Sequence, residues 1–480
     1  MSLLSQGRRP ILNPLPLLVL TLLPVCGAEP VRESSTTGQV LLRLITLDPG
    51  HFHAALFHKE MLPGVSEQVH VYAPLGPDLL AHLNRMAQFN NRRENPTHWK
   101  LEVHTGPDFL ERMLAERRGN VVVLSGNNRG KIDRIAAAVR AGLHVLADKP
   151  WIIEPDDLPK LQAALETAEQ NGVVVYDAMT QRFEISCILP RELVSDPDIF
   201  GVAHVGSPEE PAVYMESVHY LVKEVAGAPL QRPPWFFDLR QQGECLADAG
   251  PHLADLVLWT LFPNQTLDYR TDLKLLAGTR RPLLLSRAQF QRVTGQSEFP
   301  DFLTTALREG RLEYFADNRV VYQLRGSHVM LDARWEFEAA PGGKDTELAI
   351  FRGTRSRIEV RQGKSEGFIP EVYVVPTRPE LKASVQAALA RKVESLQRDY
   401  PGLTMEAQVG QFHVAIPDRY RIGHEAHFAL LSRQFLNYVR HPQTVPAWEK
   451  PNMLAKYFVT TKGVERARAA AQTPSSPRTR

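Results

Sequence analysis

From Val40 the chain alternates short apolar runs with stretches whose apolar residues recur every three or four positions. Val40–Leu47 reads as a strand ending at Asp48-Pro49-Gly50, and a helical pattern follows through Ala54, Ala55, Leu56 and Met61. Val69–Tyr72, Leu101–Val103, Val121–Leu124, His144–Leu146 and Val173–Tyr176 read as further strands. Leu110, Met113 and Leu114, then Ile132–Ala141 and Leu158–Ala168, mark the helical faces between them. Val121–Leu124 is apolar at every position, as in a strand covered on both sides of a parallel sheet. Strand–helix–strand repetition at this spacing predicts an α/β fold, with a Rossmann-like, doubly wound parallel sheet over residues 39–183.

Past residue 184 the rhythm changes. Val329, Leu331, Ala333, Trp335 and Phe337 alternate with polar residues. Pro341-Gly342-Gly343 then turns the chain into Leu348–Phe351 and Ile358–Val360. Period-two alternation with tight turns predicts a large, mostly antiparallel, open sheet with one covered face. Pro379–Tyr400 reads as a helix with Thr377 and Glu380 as its capping box, and another helix runs from Glu425 to Val439. Residues 184–465 are thus expected to form an α+β domain. The last residues, 466–480, read as a solvated tail.

Composition narrows the class. With 480 residues, 43% of them hydrophobic and three Cys, the chain is neither disordered nor a disulfide-stapled miniature. The first 28 residues join Arg8-Arg9 to an apolar stretch broken by Pro14, Pro16 and Pro24, then small residues up to Ala28. That is the pattern of an export signal, and the arginine pair also matches the twin-arginine type. The expected location is the periplasm or the exterior. Without those residues the bases and acids balance, which gives no electrostatic pull toward nucleic acid or an anionic membrane. No later apolar run approaches the ~20 residues needed to span a bilayer. Cys187 and Cys245 match no zinc spacing and are expected to be free.

Candidate chemistry lies at the strand ends. The turn L-D-P-G-H-F-H-A-A-L carries one glycine, Gly50, where a dinucleotide fingerprint carries three. The second strand ends Tyr72-Ala73-Pro74, without a ribose-binding acid. His51 and His53 have no carboxylate at ligand spacing, so no metal is expected. The segment V-V-V-L-S-G-N-N-R-G-K-I-D leads through a helix to a strand ending in Asp148-Lys149-Pro150. In G-E-C-L-A-D-A-G-P-H-L-A-D-L-V-L-W, Asp248 and His252 stand four apart at the start of an apolar helix. On one helical face a carboxylate can orient an imidazole as a general base. H-E-A-H, from His424 to His427, lacks the spacing of the metalloprotease zinc motif.

Together these passages resemble the glucose–fructose oxidoreductase / inositol dehydrogenase / MocA family (Gfo/Idh/MocA). There a strand-end E-K-P follows an A-G-K-H-V-type stretch, and a D-x-x-x-H pair opens a helix of the second domain. The counterparts here are A-G-L-H-V-L-A-D-K-P and D-A-G-P-H. L-D-P-G-H-F-H-A-A-L, Y-D-A-M-T-Q-R-F-E-I and I-G-H-E-A-H-F resemble a secreted subgroup with its own C-terminal domain. Lys131 stands where the family usually has a histidine.

The resemblance implies a nicotinamide cofactor, NAD or NADP with NAD slightly favoured, held either loosely or permanently. It places Lys149 between cofactor and substrate, with His252 as acid/base and Asp248 as its partner. Gly50, His51, Phe52, Asn127, Asn128, Asp148, Lys149 and Pro150 fall on strand-end turns and are expected to line the cofactor. His219, Tyr220, Lys223, Trp235 and Asp238 offer an aromatic face and hydrogen-bonding groups for a sugar ring. The expected activity is oxidation of a secondary hydroxyl of a sugar or glycoside, or reduction of the ketone. The alternatives are a glycoside hydrolase that uses the same cofactor transiently, and a carbohydrate-binding protein without turnover. The resemblance also implies a homodimer or homotetramer.

Overall fold

The computed structural model describes residues 41–225 and 228–472, so the expected export signal and the last eight residues of the tail lie outside the described residues. The first part of the chain runs β1 (Leu44–Leu47), α1 (His53–Leu56), β2 (Gln68–Ala73), α2 (Pro77–Asn91), β3 (Lys100–Thr105) and α3 (Phe109–Glu116). It continues through β4 (Val121–Leu124), α4 (Lys131–Arg140), β5 (His144–Ala147), α5 (Leu158–Asn171) and β6 (Val175–Asp177). These six strands form a parallel sheet in the order β3-β2-β1-β4-β5-β6. The order reverses between β1 and β4, which opens a crevice at their carboxyl ends.

The helix expected after β1 is a single turn. His58 donates its Nδ1–H to the Ala54 carbonyl, and Pro63 and Gly64 follow.

The second part starts with α6 (Ile185–Val194), β7 (Val213–Tyr220) and a small ribbon of β8 (Glu224–Val225) and β9 (Ala228–Pro229). Three helices follow: α7 (Leu239–Gln242), α8 (Cys245–Asp248) and α9 (Gly250–Leu261). Then come β10 (Leu273–Leu285), α10 (Arg287–Thr294), β11 (Leu307–Arg308), β12 (Arg311–Leu324) and β13 (Ser327–Glu336). β14 (Thr346–Arg352), β15 (Ser356–Gln362), β16 (Glu371–Pro376), α11 (Lys382–Leu396), β17 (Thr404–Gln408) and β18 (Gln411–Ala415) complete the sheet region. The strands lie in the order β10-β12-β13-β7-β14-β15-β16-β18-β17, all antiparallel except β13 beside β7. Val320, Tyr322, Leu331 and Ala333 bury one face against α9 and its neighbours. The alternating positions carry a ladder of ions, Arg319–Asp332–Arg334–Glu216 and Arg357–Glu359–Arg361.

Two C-terminal helices, α12 (Gly423–Arg440) and α13 (Glu449–Gln472), return to the parallel sheet. Phe428, Leu431 and Phe435 of α12 pack with Leu44, Val69 and Val121 on one face. Met453, Leu454 and Tyr457 of α13 pack with Ile45, Val122 and Val145 on the other. Segments expected to belong wholly to the second domain therefore complete the core of the first. The tail expected from residue 466 is helical as far as Gln472: Ala467 is buried and Arg468 pairs with Glu154 and Glu244. Thr377 does not cap α11; its hydroxyl donates to the carbonyls of Thr354 and Arg355. No helix among the described residues is long and apolar enough to cross a membrane.

Candidate active site

β5 ends in a buried charge cluster. Asp148 accepts from Lys131 Nζ at 2.7 Å on Oδ1, and from the Nδ1–H groups of His51 at 3.0 Å and His53 at 3.3 Å on Oδ2. Lys131 also donates to Asn128 Oδ1 at 2.8 Å. Burial pushes the Asp148 carboxyl up, but the Lys131 charge and the two imidazole bonds outweigh it and hold the group well below the usual range. Burial likewise lowers His51, against the pull of Asp148, and lowers His53 further. Both rings are therefore neutral at pH 7. The sequence argument that no carboxylate stands near His51 and His53 fails here, because Asp148 arrives from the end of a different strand. The three could converge on a cation, and the Lys131 ammonium already supplies one.

Lys149 follows, joined to Pro150 by a cis peptide bond. Its Nζ donates to Asp248 Oδ1 and to the Asp248 carbonyl oxygen, both at 2.8 Å. The carbonyl is available because Pro251 has no N–H and His252 N–H bonds to Ala249 O, tightening the turn between α8 and α9. Burial would raise the Asp248 carboxyl, yet the Lys149 ammonium holds it below its ordinary value. Asp248 was expected to orient His252, and this expectation is corrected. An ammonium forms the stronger, charge-assisted bond and takes the carboxylate, while His252 Nδ1 is buried without a hydrogen-bond partner among the described residues. Burial, followed by the charge of Lys149, holds His252 well below the ordinary histidine value.

The opposite wall belongs to β7, β13 and their loops. His219 donates Nδ1–H to Asp345 Oδ2 at 2.8 Å and accepts on Nε2 from Ser217, so both ring nitrogens are occupied. Lys223 Nζ reaches the same Asp345 oxygen at 2.7 Å, and Tyr220 N–H donates to Oδ1 at 3.2 Å. Trp335 stacks against His219 and lies beneath Lys223 and Arg232. His424, at the start of α12, has its ring 5.5 Å from that of His53, and desolvation there lowers it to about 3.

Other expected residues lie elsewhere. Gly50 sits where a Cβ would meet Asp78 Oδ2 at 3.2 Å and Trp235 at 3.4 Å. Trp235 donates Nε1–H to Asp78 and so bridges the two sheets' territories instead of lying beside His219. Asp238 is the N-cap of α7, and its carboxylate is engaged by Arg240 and Gln241. Asn127 and Asn128 spend their amides on Gln241 and Gln242. Phe52 packs on the core beneath α12. Cys187 and Cys245 are free thiols.

A second ionic cluster was missed by the sequence reading. Arg182 makes a bidentate pair with Asp255 at 2.7 and 2.6 Å and reaches Glu449 at 2.7 Å. Lys456 Nζ lies 2.9 Å from Asp177 and 3.5 Å from Asp255. Tyr457 donates to Asp177 at 2.7 Å and accepts Trp151 N–H at 3.0 Å. A signal existed: Asp255 is a lone acid in an apolar helix, and a buried acid requires a cation.

A family model described as "Putative oxidoreductase C terminal domain" matches residues 189–468. The chain belongs to that oxidoreductase family. A "putative oxidoreductase" from Parabacteroides merdae ATCC 43184 is 41% identical, with a TM-score of 0.87 over 90% of this chain and 98% of that one. Its similarity extends the family's likeness across both sheets, whose arrangement is that of Gfo/Idh/MocA-type oxidoreductases. Two more distant structures share the fold. Levoglucosan dehydrogenase, in complex with NADH and levoglucosan, is 12% identical with a TM-score of 0.57, covering 89% of this chain and 97% of that one. GenD2 from gentamicin A biosynthesis, in complex with NAD, is 16% identical with a TM-score of 0.55, covering 93% and 98%. No curated relative matches the chain. Within the oxidoreductase family match lie Asp248, His252, Arg232 and His424, whereas Lys149 and the Asp148 cluster precede it.

Proposed function

We propose that this chain is an exported oxidoreductase that uses NAD or NADP to interconvert a secondary hydroxyl and a ketone on a sugar or glycoside. The observation that carries the reading is Lys149, from the end of β5, meeting Asp248 one turn before His252. The NADH and NAD held by two neighbours of the same fold support the cofactor class, and levoglucosan in one of them supports a sugar. Export rests on the pattern of the first 28 residues. Assembly as a dimer or tetramer through the open, ion-laddered sheet face belongs to the same reading.

The β1/β4 crevice fits the nicotinamide half of such a cofactor. Ser125 Oγ, at the end of β4, is buried without a hydrogen-bond partner among the described residues and suits a hydroxyl or amide group, while Asp48 Oδ2, at the end of β1, lies 3.4 Å from the Arg134 guanidinium. A Cβ on Gly126 would come within 2.2 Å of the Asp48 carbonyl oxygen, so the two turns approach closely at that point. A nicotinamide bound there supplies the hydride acceptor or donor. Lys149 uses two of its three N–H bonds on Asp248, leaving one for the substrate oxygen as alkoxide charge develops. His252, neutral and with Nδ1 unpartnered, takes the hydroxyl proton while the C–H electron pair leaves with its hydrogen. The carbonyl forms, and reduction reverses each transfer.

A redox-neutral glycoside hydrolysis is the second reading, and His51 favours it. Because its Nδ1–H is given to Asp148, its Nε2 keeps a lone pair within the field of Lys149 and Asp248. That is a second base, placed to remove a ring C–H made acidic by a neighbouring ketone. The test uses the full chain with NADH fluorescence, absorbance at the reduced-cofactor band and a panel of glycosides. Reduced cofactor accumulating with substrate supports the first reading, and free sugar without net reduction the second. Lys149→Met and His252→Ala should each lower turnover by about 10²–10⁴-fold while NADH still binds. Full activity in either variant refutes the assignment.

A further inference from the structure

Three buried hydrogen-bond donors lie together on the second-lobe wall without acceptors. Arg232, 6% exposed, is sandwiched between Phe236 and Trp335 with its guanidinium carbon 4.4 Å from each ring centroid. Its Nε is unpartnered, and among the described residues its side chain makes no hydrogen bond or ion pair. Trp335 Nε1 and Tyr314 Oη are also buried and unpartnered. The Phe236 ring lies 5.9 Å from both Tyr314 and Trp335, which gathers the three donor side chains into one aromatic cluster.

The charges nearby do not cancel. Arg232 is within electrostatic reach of Asp248 and Asp345, but Lys149 and Lys223 already hold those carboxylates at 2.8 and 2.7 Å. Three cations therefore face two carboxylates. His51, His219, His252 and His424 are all shifted down by burial and add no charge at pH 7. Glu347 is pushed up to about 7 by burial and by Asp345 and Glu184, so it contributes a partial charge. A buried cation without a partner is costly, and bringing it an anion recovers that cost in the complex.

We propose that Arg232, with Trp335 Nε1 and Tyr314 Oη, forms a subsite for a carboxylate on the substrate, so that the sugar is an acidic one such as a uronic acid or its glycoside. This rests on the sugar oxidoreductase reading and names its substrate class. A carboxylate is the closer match to a surplus of at most one positive charge, which Glu347 trims further, whereas a phosphate monoester, near −2 at pH 7, would overshoot it. It also accepts from a guanidinium fork and two neighbouring donors. Arg232 acts here in binding; the reacting oxygen stays with Lys149 and His252.

The test compares methyl β-glucuronoside with methyl β-glucoside, and their galacto epimers, by calorimetry on the full chain, with NADH titrated into the same samples. The acids should bind about 10–100-fold tighter than their neutral twins. Arg232→Met should reduce that ratio below about 3-fold, and Arg232→Lys should restore part of it. Equal binding of the twins, no binding of either acid at millimolar concentration, or an unchanged preference in Arg232→Met overturns the subsite. NADH binding with no acid preference sinks the subsite alone. Acid preference without NADH binding sinks the redox reading and leaves the subsite standing.

Discussion

Replacing Lys131 with Met removes the one full positive charge bonded to Asp148 and keeps the apolar stem of the side chain. Both partners are buried, at 0% and 2% exposure, and 2.7 Å apart. With an effective dielectric of 20, Coulomb's law gives about 6 kcal/mol for such a pair, and losing one partner of a buried pair costs about 3–5 kcal/mol in practice. The cost should depend on pH, because His51 and His53 bond the same carboxylate. In the variant, either ring can take a proton and become the missing cation, so their folded-state pKa values rise. A raised value adds stability that is present below the unfolded histidine value near ~6.5 and is lost as pH climbs through the folded one. Unfolding free energies of wild type and Lys131→Met from urea titrations should therefore differ by about 3–5 kcal/mol at pH 8 and by less than about 2 at pH 5.5. The double variant with Asp148→Asn should recover much of the loss. A gap that is equal at both pH values, or below about 1 kcal/mol at pH 8, would refute the cluster as described.

Two further expectations concern groups away from the reacting atoms. Asp255→Asn removes the bidentate acceptor of Arg182 and one contact of Lys456, leaving Glu449 and Asp177 to balance the two cations, and should cost about 1–3 kcal/mol by urea denaturation. It should also lower kcat with little change in KM, since Asp255 sits one turn past His252; a purely structural loss would leave kcat of the folded fraction intact. His58, fully buried and lowered to about 4, stabilises the fold above pH 6.5 and loses that contribution as pH falls through 4. The full swing is about 3 kcal/mol. The urea midpoint of wild type should fall between pH 6.5 and 4, and His58→Gln should flatten that decline; parallel curves would refute it.

How much of this was legible in the chain depended on range. Val121–Leu124 and Val329–Phe337 declared their sheets because burial on two faces, or on one, writes itself into every position or every second one. Helix α13 hid its role: Lys456, Thr460 and Thr461 are polar yet fully buried, so its periodicity gives no sign that it joins the first lobe. The Asp248 and His252 spacing was read as one helical face joined by a bond, whereas Asp248 ends α8, His252 lies in the first turn of α9, and the carboxylate bonds elsewhere. Periodicity lists neighbours along one helix, but the competition for a carboxylate was won by an ammonium 99 residues away. His219 and Lys223 were singled out as candidates, and the Asp345 that binds both was not, since nothing local marks an acid in a loop as a partner for β7.

The missed ionic cluster explains why the two halves of the candidate site keep their distance. Trp151, two residues past Lys149, gives its N–H to Tyr457, which donates to Asp177, and Asp177 binds Lys456. Lys456 and Arg182 both reach Asp255, three residues past His252. Every link is directional and buried, so sliding α9 relative to β5 would strand a charge or a hydroxyl in the interior. Apolar packing alone would tolerate a small shift, and a small shift is what hydride and proton transfer cannot tolerate. The C-terminal helix therefore acts as the spacer that sets Lys149 against His252, although neither residue touches it through a bond of its own.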